Sequence, residues 1–127
     1  MPAFEPDDLK TKPGFWRFTH NDIEFVARGD DSRYAALLDV ASVLNDLDAQ
    51  CLKLLRDFMK HAGTFELDSV EVPESPHDDG ASVSLRYNFV ADADAHEFGY
   101  TYFDVWLGRQ SEPLPPFWPF KFVVGFH

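Results

Sequence analysis

Short runs of alternating polar and apolar residues open the chain. Phe15-Trp16-Arg17-Phe18 and Ile23-Glu24-Phe25-Val26-Ala27 read as two strands, and His20-Asn21-Asp22 between them supplies turn chemistry, so a hairpin is predicted. The period then lengthens. Over residues 33–62, at about 100° per residue, Leu37, Val40, Ala41, Leu44, Leu47, Cys51, Leu54, Leu55, Phe58 and Ala62 share one arc. Asp39, Ser42, Asn45, Asp46, Gln50, Lys53, Arg56, Asp57 and Lys60 cover the opposite arc. The loop Gly29-Asp30-Asp31-Ser32 ends in N-capping residue types, and His61-Ala62-Gly63 forms a C-terminal stop. Asp48 breaks this pattern by lying toward the apolar arc. Either the helix is interrupted near Asn45-Asp46, with Asn45 capping a second helix, or Asp48 finds a partner at the edge of the arc.

Four more strands are predicted beyond the helix. Residues 65–72 alternate and then switch phase near Ser69-Val70, which points to a bulge. Pro73 to Gly80 reads as a polar loop. Residues 81–91 set Val83, Leu85, Tyr87 and Phe89 on one side and Ser82, Ser84, Arg86 and Asn88 on the other. Residues 98–108 set Gly99, Thr101, Phe103, Val105 and Leu107 against Phe98, Tyr100, Tyr102, Asp104 and Trp106. A proline-rich stretch with Pro113, Pro115, Pro116 and Pro119 leads into a last strand over residues 120–126. Short links between successive strands favour antiparallel pairing. The expected fold is α+β: a single antiparallel sheet of about five to six strands in the order β-β-α-β-β-β-β, with one long helix, kinked if Asn45 caps a second, packed on one face.

Composition narrows the class. The 127 residues, 14.5 kDa, suit a single domain over residues 1–127, with 1–13 as an extended lead-in. An aromatic fraction of 16% and a hydrophobic fraction of 45% exclude a disordered acidic tail. The single cysteine, Cys51, permits no internal disulfide and suits a reducing compartment. The acidic start lacks an apolar signal core, and no apolar run approaches the roughly 20 residues of a membrane span. A cytoplasmic protein with no membrane association is therefore expected.

Charge adds a location. The formal net charge is −11, from 22 acidic and 11 basic residues, which argues against nucleic-acid binding. Residues 33–62 carry four acids and four bases. Between Glu66 and Asp104, by contrast, ten acids face Arg86 alone. The acids Glu71, Glu74, Asp78, Asp79, Asp92, Asp94 and Glu97 are thus expected to steer a basic partner, and Tyr100, Tyr102, Asp104 and Trp106 to anchor it.

Signatures of other chemistry are missing from the sequence. Asp92-Ala93-Asp94-Ala95-His96-Glu97 lacks the glycine and the terminal Glu spacing of a calcium loop, and there is no HExxH, CxxC pair, GxSxG, GxGxxG or GxxxxGK[ST]. No cofactor is expected. The sequence therefore points to an acidic, non-enzymatic binding protein of the bacterial immunity or antitoxin kind, an inhibitor of a basic protein such as a nuclease toxin. Two alternatives stand beside it: an adaptor or homodimeric domain, and a small-ligand enzyme using the Asp/Tyr sheet face.

Overall fold

The computed structural model describes residues 6, 8–58, 63–74, 81–91, 102–109 and 117–125. Its element order is β1 (Lys10–Lys12), β2 (Phe15–His20), β3 (Ile23–Arg28), α1 (Asp31–Ser42), α2 (Leu44–Phe58), β4 (Gly63–Val72), β5 (Ala81–Ala91), β6 (Tyr102–Arg109) and β7 (Phe117–Gly125). The strands form one seven-stranded sheet in sequential order, β1 to β7.

The α+β class is as expected, but its details differ from the sequence reading. The sheet is mixed, not purely antiparallel, because β3 and β4 pair in parallel, with Phe25 opposite Val70 and Ala27 opposite Val72. The two helices between them carry the chain back to the end of the sheet where β3 began, so β4 must run the same way. Every other neighbouring pair is antiparallel. The additional strand, β1, lies inside the presumed lead-in, where Lys10, Thr11 and Lys12 pair with Arg17, Trp16 and Phe15.

The single long helix is two. Asp30 caps α1: its side chain accepts from the Ser32 backbone N–H at 2.9 Å and from the Ser32 hydroxyl, and these bonds lower its pKa. The chain breaks at Val43, two residues before the expected Asn45 cap, and α2 starts at Leu44. The Val43 N–H still bonds the Val40 carbonyl and the Leu47 N–H bonds the Val43 carbonyl, so the second helix resumes at once after a one-residue break. Asp48 accepts a hydrogen bond of 2.6 Å from the Tyr87 hydroxyl. The helix is therefore interrupted and Asp48 is also partnered. The expected stop at residues 61–63 falls partly outside the described residues.

Phe103, Val105 and Leu107 of β6 join Val83, Leu85, Tyr87 and Phe89 of β5, Val70 and Val72 of β4, and Phe25 and Ala27 of β3 in one buried layer. Leu37, Val40, Leu47, Cys51 and Leu55 close it from the helix side. Each fully buried Leu, Val or Phe contributes about 1.5–3 kcal/mol of transfer free energy. Leu54 and Phe58, placed on the apolar arc by periodicity, are exposed. The β4 bulge falls between Leu67 and Ser69, close to the phase switch read from the sequence.

Tyr87, Asp48 and Cys51 form a polar knot within this layer. Burial is the main cause that lifts the Tyr87 hydroxyl far above its ordinary pKa, with Cys51 and Asp48 adding to it. Burial likewise pushes the Cys51 thiol up to about 12. A group whose pKa is raised on folding stabilises the protein fully below its unfolded value and loses that contribution as pH rises to the folded one. Stability should therefore decline from about pH 9.0, the ordinary thiol value, toward pH 12. Tyr87→Phe strips the half-buried Asp48 carboxylate of its donor and should cost about 1–2 kcal/mol in urea unfolding. Cys51 should resist iodoacetamide at pH 8 in the folded protein and react once urea unfolds it; modification at the rate of a free thiol in native buffer would contradict the burial.

Candidate binding face

Alternation gives the sheet two different faces. One meets the helices. The other, among the described residues, is covered by neither helix. The register places its side chains in rows across the strands. One row crosses all seven: Lys10, Arg17, Val26, Glu71, Ser84, Trp106 and Lys121 are successive partners. A second runs Thr19, Glu24, Ser69, Arg86, Asp104 and Val123. A third runs Glu66, Asn88, Tyr102 and Gly125.

Arg86 sits near the centre of this face. It donates to both oxygens of Asp104, at 2.7 and 2.9 Å, a fork that suits a guanidinium and a carboxylate. The hydrogen bonds to Asp104 raise the Arg86 pKa further, with Asp68 contributing. The guanidinium also lies 4.1 Å from the centre of the Tyr102 ring. That ring crosses the backbone of Gly125, where an added Cβ would stand 1.9 Å from the Tyr102 Cζ. Glycine at position 125 is therefore what lets Tyr102 lie flat under Arg86. In the next row Lys121 approaches the Trp106 ring at 5.8 Å. Farther toward β1, Arg17 donates to Glu24 at 3.0 Å; both side chains are nearly half exposed to solvent, so the pair adds little stability.

The face is polarised. Lys10 and Lys12 of β1, Arg17 of β2 and Arg28 of β3 make one flank basic. Glu66, Asp68 and Glu71 of β4 are all exposed, and no ion pair among the described residues involves them. Aromatic and apolar surface dominates the far flank, where Tyr102 and Trp106 are half-buried and Trp118 and Val123 are 48% and 49% exposed.

Of the residues singled out from sequence, Glu71, Tyr102, Asp104 and Trp106 share this face. Asp104 is tied to Arg86, so its charge is compensated within the protein. Glu74 lies past the end of β4, in a shallow recess beside Arg28, Gly29 and Asp30. Asp78, Asp79, Asp92, Asp94, Glu97 and Tyr100 lie outside the described residues. Sequence reasoning did not place Arg86, Ser84, Lys121 or the basic flank in a binding site; the alternation of β5 put Ser84 and Arg86 opposite the core side and short links put its neighbours in sequence beside it, but not the register that sets Glu71 and Trp106 opposite Ser84 and Asp104 opposite Arg86.

A separate recess of about 400 Å³ opens at the junction of α1 and α2, lined by His20, Asn21, Ser42, Asn45, Asp46 and Asp48 among others. Among the described residues no group of three or more His, Cys, Asp or Glu side chains is placed to hold a metal ion, and no helix is long and apolar enough to cross a membrane. Comparison with protein-family models, with curated proteins and with solved structures finds no match for this chain.

Proposed function

We propose that the chain is a non-enzymatic binding protein that engages a basic protein partner on the helix-free face of its sheet, as an immunity or antitoxin-like inhibitor engages a toxin such as a nuclease. The observation that carries this reading is the face itself: a broad sheet surface, helix-free among the described residues, with carboxylates on β4 beside aromatic side chains on β6 and β7. Aromatic anchors bury large area at low entropy cost, and unpaired carboxylates speed encounter with a cationic surface. The sheet edges favour the same surface. β1 is three residues long and carries Lys10 and Lys12, while β7 contains Pro119, faces a bulge at Trp106/Leu107 and carries Lys121. Short, charged, proline-bearing or bulged edges resist strand addition, which argues against a homodimer built edge to edge. The enzyme alternative needs Asp104 free to meet a substrate, and both of its oxygens already accept hydrogen bonds from Arg86.

The test is affinity capture from the source cells, followed by identification of the bound protein. Thr64→Arg and Val123→Arg place bulky cations at two exposed points of the face, and Leu54→Arg places one on α2. The expected result is a basic partner, lost with either face variant, retained with Leu54→Arg, and released progressively as salt rises. Retention of the partner by both face variants would remove the face from the interaction.

A further inference from the structure

We propose that the recess at the junction of α1 and α2 binds a short-chain diamine, with one ammonium on Asp48 and the other on Asp46. This site is separate from the open sheet face and does not depend on it. The recess, about 400 Å³, lies between the β2–β3 turn and the start of α2. Small-molecule sites span roughly 300–1,000 Å³, with apolar walls and a few converging polar groups. Here Ile23, Ala41, Val43, Leu44 and Leu67 supply the apolar wall. Asp46 and Asp48 supply the carboxylates, and no lysine or arginine among the described residues lines the recess.

Asp48 is half-buried, and its two oxygens differ. Oδ1 accepts the Tyr87 hydroxyl at 2.6 Å. Oδ2 has no hydrogen-bond or ion-pair partner among the described residues. A guanidinium engages a carboxylate best through both oxygens, so Asp48 suits it poorly. An ammonium is a compact charge with three donors, and one open oxygen serves it. The lining also offers neutral acceptors. The Ser42 hydroxyl donates its proton to the Asp39 carbonyl at 2.7 Å, which leaves its oxygen to accept. The Asn21 amide nitrogen lies 3.3 Å from His20 Nε2 and can only donate, so the Asn21 amide oxygen stays available.

Asp46 is exposed and makes no ion pair among the described residues. Side chains two apart on a helix do not face each other, so Asp46 and Asp48 border the recess from different directions. His20, Asp46 and Asp48 are accordingly not placed to close on one metal ion. Two separated charges joined by methylenes fit this lining: each ammonium meets one carboxylate and the carbon chain lies on the apolar wall.

The experiment titrates ¹⁵N-labelled full-length protein with 1,4-diaminobutane at neutral pH and constant ionic strength, in parallel with 1-butylamine and the neutral 1,4-butanediol. The expected result is saturable shifts at the Asn21, Asn45 and Asp48 amides with the diamine and none with the diol. Butylamine should bind about two- to fivefold more weakly than the diamine, the worth of one exposed charge pair. Asp48→Asn keeps an amide oxygen for the Tyr87 hydroxyl while removing the charge, and should raise the diamine Kd about tenfold or more. Asp46→Asn should raise it about two- to fivefold and bring the diamine close to butylamine. Asp57→Asn, elsewhere on α2, should leave it unchanged. Asp46 is exposed and unpaired, so its variant keeps the test valid if Asp48→Asn disturbs the fold. Shifts that the diol reproduces, equal affinity of the unaltered protein for diamine and butylamine, a diamine Kd that neither Asp48→Asn nor Asp46→Asn moves, or no saturable shift at this recess overturns the proposal.

Discussion

Replacing Phe103 with alanine should lower the unfolding free energy by about 3–5 kcal/mol, the range for large-to-small changes at fully packed aromatic positions. Phe103 is 1% exposed. Its ring lies 5.5 Å from Phe65, 6.4 Å from Phe89 and 6.1 Å from Phe122, so it joins β4, β5 and β7 across β6. Those rings belong to three strands held by backbone pairing and cannot all collapse into the space left behind. The expected fall in Tm is on the order of 10–20 °C for a domain of this size, read by thermal unfolding at neutral pH. Phe103→Leu keeps most of the volume and should lose less than half as much. A loss below 1 kcal/mol for the alanine variant would mean that the aromatic layer is not packed as described.

Gly63→Ala should cost about 3 kcal/mol, at the upper end of the usual range for overpacking. An added Cβ at Gly63 would stand 2.4 Å from the Phe89 Cζ and 2.5 Å from the Val90 carbonyl oxygen. The ring could rotate away, but the carbonyl belongs to the β4–β5 pairing, in which Gly63 faces Ala91 and Thr64 faces Val90. Relief therefore requires the first residues of β4 to separate from β5, close to where the chain leaves α2. Urea unfolding measures the loss, and hydrogen exchange should locate it, with faster exchange at Thr64 and Val90 and unchanged exchange at Val26. Gly14→Ala is the contrasting substitution: its φ of 74° strains any other residue, but its nearest contact is a carbonyl oxygen at 3.6 Å, so backbone strain alone sets a smaller cost.

The second half of the fold was the more legible in sequence. Val83, Leu85, Tyr87 and Phe89 alternate without interruption, and all four are buried. The β2–β3 hairpin was equally clear, and Asn21 and Asp22 both adopt the positive φ that its two-residue turn requires. The helical stretch was legible as a period but not as a shape. Nothing in residues 41–46 forces a break at Val43; the break lets the arc of α1 meet β3 and β4 while α2 swings across to β7. Asp48 looked like an exception because its partner, Tyr87, lies 39 residues away. β1 was hidden because three residues with two lysines carry no hydrophobic signal, and only pairing with β2 makes them a strand.

The acidic character follows the same division. Sequence alone determined that the negative charge is concentrated beyond the helices and that β5 and β6 each have a polar and an apolar side, because both facts depend only on residue order and a period of two. Tertiary structure decided what stands beside what. The parallel crossing of β3 and β4 brings Arg17 and Val26 into one row with Glu71, the fork to Arg86 cancels the charge of Asp104, and Ser84 comes to lie between a carboxylate and an indole. Those neighbours are distant in sequence, and pairing register, a non-local property, is what sets them side by side.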